Sequence, residues 1–236
     1  MTFISVHIPK TAGTSLAFAF DHGTDRAILY DYRADYSNKV FTEAEAERFV
    51  RAKDFILGQF AFIHGHFYLQ KYTEVLPEAK TTACFRHPVD RIISQFKHIY
   101  YEANIESEYY KAFSGGMDVV EFTEADDNVA RAHIVHLGGI PPRELDFIFL
   151  SEAVGEGLEL FQKRYPKVLL NGWATAPMIN AGSTREKSAP VQDGRKTLEI
   201  TQAHRSAIAA KIPEELAYFE EARAAYAEKK KTILNL

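Results

Sequence analysis

Residues 59–67 place Phe60, Phe62, His64 and His66 on one face of an extended chain and Ala61, Ile63, Gly65 and Phe67 on the other. Both faces are largely apolar. A strand of this kind must be covered on two sides, as strands of parallel sheets are. Residues 80–85 (KTTACF) form a second strand candidate. Pro88 follows, preorganised for the first turn of a helix in which Ile92, Ile93, Phe96, Ile99 and Tyr100 recur at helical spacing. Further strands are expected over 2–8, 145–150 and 167–170. Helices are expected from Thr14 and Ser15, from a capping box at Thr42 and Glu45, and over 118–124, 127–137, 152–164, 197–210 and 213–230. Strands alternating with helices predict an α/β fold with a mostly parallel central sheet. With 236 residues, 46% of them hydrophobic and 25% charged, the chain can bury one large core, read as one domain over 1–236. These values exclude a disordered tail, a collagen-like fibre and a disulfide scaffold.

The net charge of −4 provides no basic field to collect nucleic acid, so an anion site has to be built locally. The stretch after the first strand, Pro9-Lys10-Thr11-Ala12-Gly13-Thr14-Ser15, has the parts for one. Backbone N–H groups of a tight turn and a first helical turn converge there. Lys10 adds a charge, Thr11, Thr14 and Ser15 add hydroxyls, and Gly13 permits close approach of a ligand. The order is not that of a Walker A loop, in which Lys follows the second glycine.

The nine residues His7 to Ser15 (HIPKTAGTS) resemble the 5′-phosphosulfate loop of sulfotransferases that use 3′-phosphoadenosine 5′-phosphosulfate (PAPS). More narrowly, they are similar to the carbohydrate O-sulfotransferases of the Golgi and their bacterial relatives. The resemblance implies a P-loop-kinase-like three-layer sandwich, with PAPS as co-substrate and no metal. It implies nucleotide contacts from Lys10, Thr11, Ala12, Gly13, Thr14 and Ser15. In that family an Arg at a strand end and a Ser eight positions later hold the 3′-phosphate; here these are Arg86 and Ser94. The planar fork of Arg suits two phosphate oxygens. Ile63-His64-Gly65-His66-Phe67 is similar to the uronyl 2-O-sulfotransferase branch, in which a His is the proposed base. Two apart on a strand, His64 and His66 would share a face. His66 is read as the base, His64 as the group that positions or tunes it, and Lys10 as the stabiliser of the departing phosphate. Residues 127–138 and 149–152 resemble a cleft-lining helix and a strand-to-helix turn of the family. Residues 180–187 fall where it has a loop over the nucleotide, assigning Ser183, Thr184, Arg185 and Lys187 to cofactor binding.

The implied acceptor is a saccharide or glycolipid hydroxyl, acidic acceptors included. Arg91, Lys97, His98, Arg131, His133 and His136 are candidates for meeting it. The alternatives are an ATP-dependent kinase with a divergent phosphate loop and a nucleotide-binding scaffold that has lost its chemistry. The single cysteine, Cys84, excludes an internal disulfide and reads as a small buried hydrophobe. The opening MTFISVHIPK has no leader pattern, and no run of 18 apolar residues occurs. A bacterial cytoplasm is therefore the expected location.

Overall fold

The structure, a computed structural model, describes residues 1–32, 40–102, 108–169 and 198–235. Its centre is a five-stranded sheet of β1 (Phe3–Val6), β2 (Ala27–Asp31), β3 (Phe60–Gly65), β4 (Lys80–Phe85) and β5 (Phe147–Leu150). The order is β2-β3-β1-β4-β5, and every neighbouring pair is parallel. Parallel pairs need crossovers, and helices supply them. α1 (Gly13–Gly23) leaves β1, and α2 (Glu43–Arg51) and α3 (Lys53–Gln59) lead into β3. The short α4 (Gln70–Thr73) precedes β4, and α5 (Pro88–Glu102) leaves it. Then follow α6 (Glu108–Ser114), α7 (Val119–Glu124), α8 (Asp127–Ala130) and α9 (Ala132–Leu137). After β5 come α10 (Val154–Arg164), α11 (Gln202–Lys211) and α12 (Pro213–Leu234).

Apart from the edge strand β2, the strands are largely buried because most of their residues are apolar. Phe3, Ile4, Phe62, Ile63, Phe85 and Phe149 are all inaccessible to solvent. Phe20 of α1 stacks on Phe62 at 3.9 Å, and Phe161 of α10 meets Phe3 at 4.9 Å and Phe147 at 5.0 Å. Each such ring contributes about 2–3 kcal/mol through burial. A second apolar cluster, with Ile92, Phe96, Phe122, Val129, Ile208 and Ile212, joins α5, α7, α8 and α11 beside the sheet. The capping box at Thr42 and Glu45 is formed as expected.

Several boundaries differ from the sequence reading, for local reasons. Residues 167–169 are a turn, not a strand: the N–H groups of Val168 and Leu169 return to the Tyr165 carbonyl as α10 ends. The apolar side chains that suggested a strand are buried there all the same. The helix expected over 127–137 breaks at Arg131 (φ −123°, ψ 36°). The expected strand over 145–150 starts at Phe147, after a 3-10 turn at Pro142–Glu144. The helix expected from 197 starts at Gln202, capped by Thr201 and His204. β2, α3, α4 and α6 were not anticipated.

Candidate active site

All five strands run in one direction, so their C-terminal ends form one edge. In open α/β sheets ligands bind at that edge, where the chain leaves adjacent strands to opposite sides. β1 is central, with Val6 aligned to Gly65 of β3 and to Ala83 of β4. The segments following these three strands carry Lys10, His66 and Arg86, so residues far apart in sequence meet on one edge.

The loop after β1 has an uncommon backbone. Lys10 (φ 67°) and Ala12 (φ 68°) are left-handed although neither is glycine. Such residues cost on the order of 1 kcal/mol each and concentrate at functional sites. Ala12 is the N-cap of α1 and offers no capping side chain, so the first-turn N–H groups of Gly13, Thr14 and Ser15 have no cap from it. Thr14 is exposed, Ser15 and Thr11 are buried, and Lys10 is half-buried. The Thr11 hydroxyl donates to the Ile8 carbonyl at 2.8 Å, bracing the turn from inside.

Gly13 serves a different neighbour than expected. A Cβ there would lie 1.9 Å from Cδ2 and 2.1 Å from Nε2 of His7. The imidazole of His7, not a ligand, occupies the space that glycine opens.

On the far side of β1 the guanidinium of Arg86 donates from Nη1 to the Lys10 carbonyl at 3.1 Å, tying the end of β4 to the loop after β1. Ser94 is half-buried two turns along α5, and no hydrogen bond joins it to Arg86. Ser183, Thr184, Arg185 and Lys187 lie outside the described residues.

His66 is one residue past the end of β3, and its ring and that of His64 both pack against His7 and Tyr32. Its N–H donates to the Asp31 carbonyl at 3.0 Å. Its ring Nδ1 bonds the His7 carbonyl at 2.6 Å. A carbonyl only accepts, so Nδ1 carries the proton and Nε2 is the basic nitrogen. The Asp31 side chain accepts from Lys71 Nζ at 2.7 Å and from the Tyr72 hydroxyl at 2.9 Å, both buried, which anchors the carbonyl that holds His66. Neither link was anticipated.

His64 is fully buried. Its Nδ1 meets the Ser5 hydroxyl at 2.9 Å, its Nε2 has no hydrogen-bond partner among the described residues, and its ring stacks on His7 at 5.4 Å. Burial, aided by the charge of His66, pushes its pKa down to about 4 although the Gly13 and Ser5 backbone act the other way. His7, also missed, packs against His66 at 4.3 Å and shares a 2.7 Å hydrogen bond with the Tyr32 hydroxyl. Burial, then neighbouring His66, His64, His136 and Lys10, hold its pKa well below the usual value. Both rings are neutral at pH 7 and gain protons more readily when unfolded. Their contribution to stability is therefore present above about pH 6.5 and lost as pH falls through that value toward 4. The urea midpoint is expected to drop between pH 7 and 5, at up to about 1.4 kcal/mol per pH unit for each ring. His64→Asn should flatten that drop; an unchanged slope would show that His64 does not contribute.

Of the six cations proposed for an acidic acceptor, three are internal. Arg91, His133 and His136 are buried. Arg91 donates to Gln95 and to the Val129 carbonyl, and Arg131 pairs with Glu214 at 3.3 Å. Lys97 and His98 are half-buried on α5. Cys84 is buried, and burial, before the charge of Glu152, raises its thiol pKa, consistent with the inert reading.

Among the described residues no group of acidic, histidine or cysteine side chains is arranged to hold a metal, and no helix is long and apolar enough to cross a membrane. No family model matches the sequence, and no curated protein does. The fold is shared with a solved structure: a sulfotransferase from Alicyclobacillus acidocaldarius is similar at a TM-score of 0.51 and 13% identity, over 93% of this chain and 94% of that one.

Proposed function

We propose that the chain is a sulfotransferase that moves the sulfuryl group of PAPS to a hydroxyl of a saccharide or glycolipid. The carrying observation is the convergence of the Lys10–Ser15 loop, Arg86 and His66 on one edge of the sheet, with Arg86 bonded to the loop itself. The residues suit a polyanionic donor. A helix start whose N-cap residue, Ala12, gives no side-chain bond, together with Lys10 and a guanidinium with one arm fixed, can hold phosphate and phosphosulfate groups without a basic surface. The likeness in fold to a sulfotransferase and the loop sequence support the same reading. The single cysteine is consistent with a reducing cytoplasm.

Mechanistically, His66 Nε2 takes the proton of the acceptor hydroxyl as that oxygen attacks sulfur in line. The bond from sulfur to the phosphate oxygen breaks, and its electron pair leaves with the phosphate. Lys10 and the first-turn N–H groups of α1 stabilise the charge that gathers there. His7 fixes the tautomer of His66 through its carbonyl, and His64, neutral and buried, supports the His7 ring.

The burial of Arg91, His133 and His136 takes three of the six expected cationic side chains out of the lining, while Lys97, His98 and Arg131 stay partly exposed. Thermal denaturation tests the donor assignment. At 100 times its dissociation constant, 3′,5′-ADP is expected to add about 2.7 kcal/mol, or roughly 5–10 °C for a chain of this size. The 5′-diphosphate with Mg²⁺ should add far less. The reverse order would favour a kinase, and no response to either would favour a scaffold or a different ligand.

A further inference from the structure

The mechanism makes no use of a buried acid and imidazole that stand directly behind Arg86. Glu215, in the first turn of α12, and His133, in α9, are both wholly inaccessible to solvent. One Glu215 oxygen accepts from His133 Nδ1 at 2.6 Å and from the His133 backbone N–H at 2.8 Å. The other accepts from the Ile134 N–H at 3.3 Å. With its Nδ1 proton given to the carboxylate, His133 presents Nε2 as an acceptor, and the backbone N–H of Arg86 donates to it at 3.4 Å. The His133 ring also lies flat on Phe85, the last residue of β4, at 5.1 Å and 11°. Burial by itself would raise the Glu215 carboxyl, but His133 and the nearby Arg91 outweigh it and hold it below the ordinary range.

A pair like this is a poor way to gain stability, because apolar side chains of the same volume often do as well. Its geometry has a different consequence. It fixes the backbone of Arg86 from behind, while the Arg86 side chain reaches forward to the Lys10 carbonyl.

We propose that the Glu215–His133 couple is a positioning device for Arg86, and through it for the 3′-phosphate of the nucleotide. The second half rests on the assignment of Arg86 to that phosphate. α12 thereby joins the nucleotide site without touching the ligand.

The test uses the whole chain and calorimetric titration with 3′,5′-ADP and with AMP, which lacks the 3′-phosphate. His133→Asn keeps a donor for Glu215 but cannot reach the Arg86 N–H; His133→Gln restores an acceptor near the position of Nε2. Asn is expected to weaken 3′,5′-ADP about tenfold, the size of one hydrogen bond to a charged ligand's anchor, and to leave AMP within about twofold. Gln should recover most of the loss. In an Arg86→Ala background, His133→Asn should add nothing further. Equal weakening of both ligands, or a full additional loss in the Arg86→Ala background, would overturn the proposal. If the unaltered protein shows no preference for 3′,5′-ADP over AMP, the phosphate assignment fails. Hydrogen exchange at the Arg86 amide, faster in Asn and restored in Gln, then decides the positioning role separately; no change in exchange overturns it. Should His133→Asn fail to fold, Glu215→Gln, which sets an amide against the Ile134 N–H, is read by the same measurements.

Discussion

His66→Ala is expected to lower turnover by on the order of 10²-fold or more, the usual scale for loss of a general base, while 3′,5′-ADP binds within about twofold of normal. The separation follows from the geometry. His66 reaches the edge from the end of β3, held by the Asp31 and His7 carbonyls, whereas the groups assigned to the nucleotide follow β1 and β4. Single-turnover rates with saturating PAPS and a saccharide acceptor would show it. Near-normal turnover in His66→Ala would remove His66 from the chemistry. Loss of nucleotide binding would mean that the ring braces the loop after β1 rather than serving the acceptor.

Lys10→Gly should move activity and stability in opposite directions. Removing the ammonium takes away charge from the leaving phosphate and is expected to cost on the order of 10²-fold in turnover. The same change relieves a left-handed residue at φ 67°, so the fold should hold its stability or gain up to about 1 kcal/mol. Urea denaturation and steady-state rates on one preparation give both readings. A destabilised Lys10→Gly would show that contacts of the lysine side chain outweigh the relief of the backbone. Normal turnover would remove the ammonium from the mechanism.

The parts of this molecule legible in the sequence are those whose cause is local. β3 shows two largely apolar faces, β4 ends in a run of small and apolar residues, Thr42 and Glu45 form their box within four residues, and Pro88 opens α5. Lys10, Arg86 and His66 stood out because each sits in a short motif beside a strand. β2 was missed because it is an edge strand with half-exposed residues and no clean alternation. Residues 167–169 were misread because burial alone does not distinguish a strand from a buried turn. The supports of the site were hidden for another reason. Asp31 and Lys71 are 40 residues apart, and His133 and Glu215 are 82 apart, so no spacing rule connects them. Distant partners of the same kind explain why side chains expected to line the cleft ended inside. Arg91 is enclosed by α8, and His133 by α12, neither of which is apparent from their own helices.

The central place of β1 also governs the order in which the molecule can assemble during synthesis. β1 pairs only with β3 and β4, whose first residues, Phe60 and Lys80, emerge long after Val6. At about 5–20 residues per second, β1 waits several seconds for its partners. Throughout that interval a short, largely apolar strand has both edges open to any passing chain, so early handling by a chaperone would matter more for this protein than for one built from hairpins.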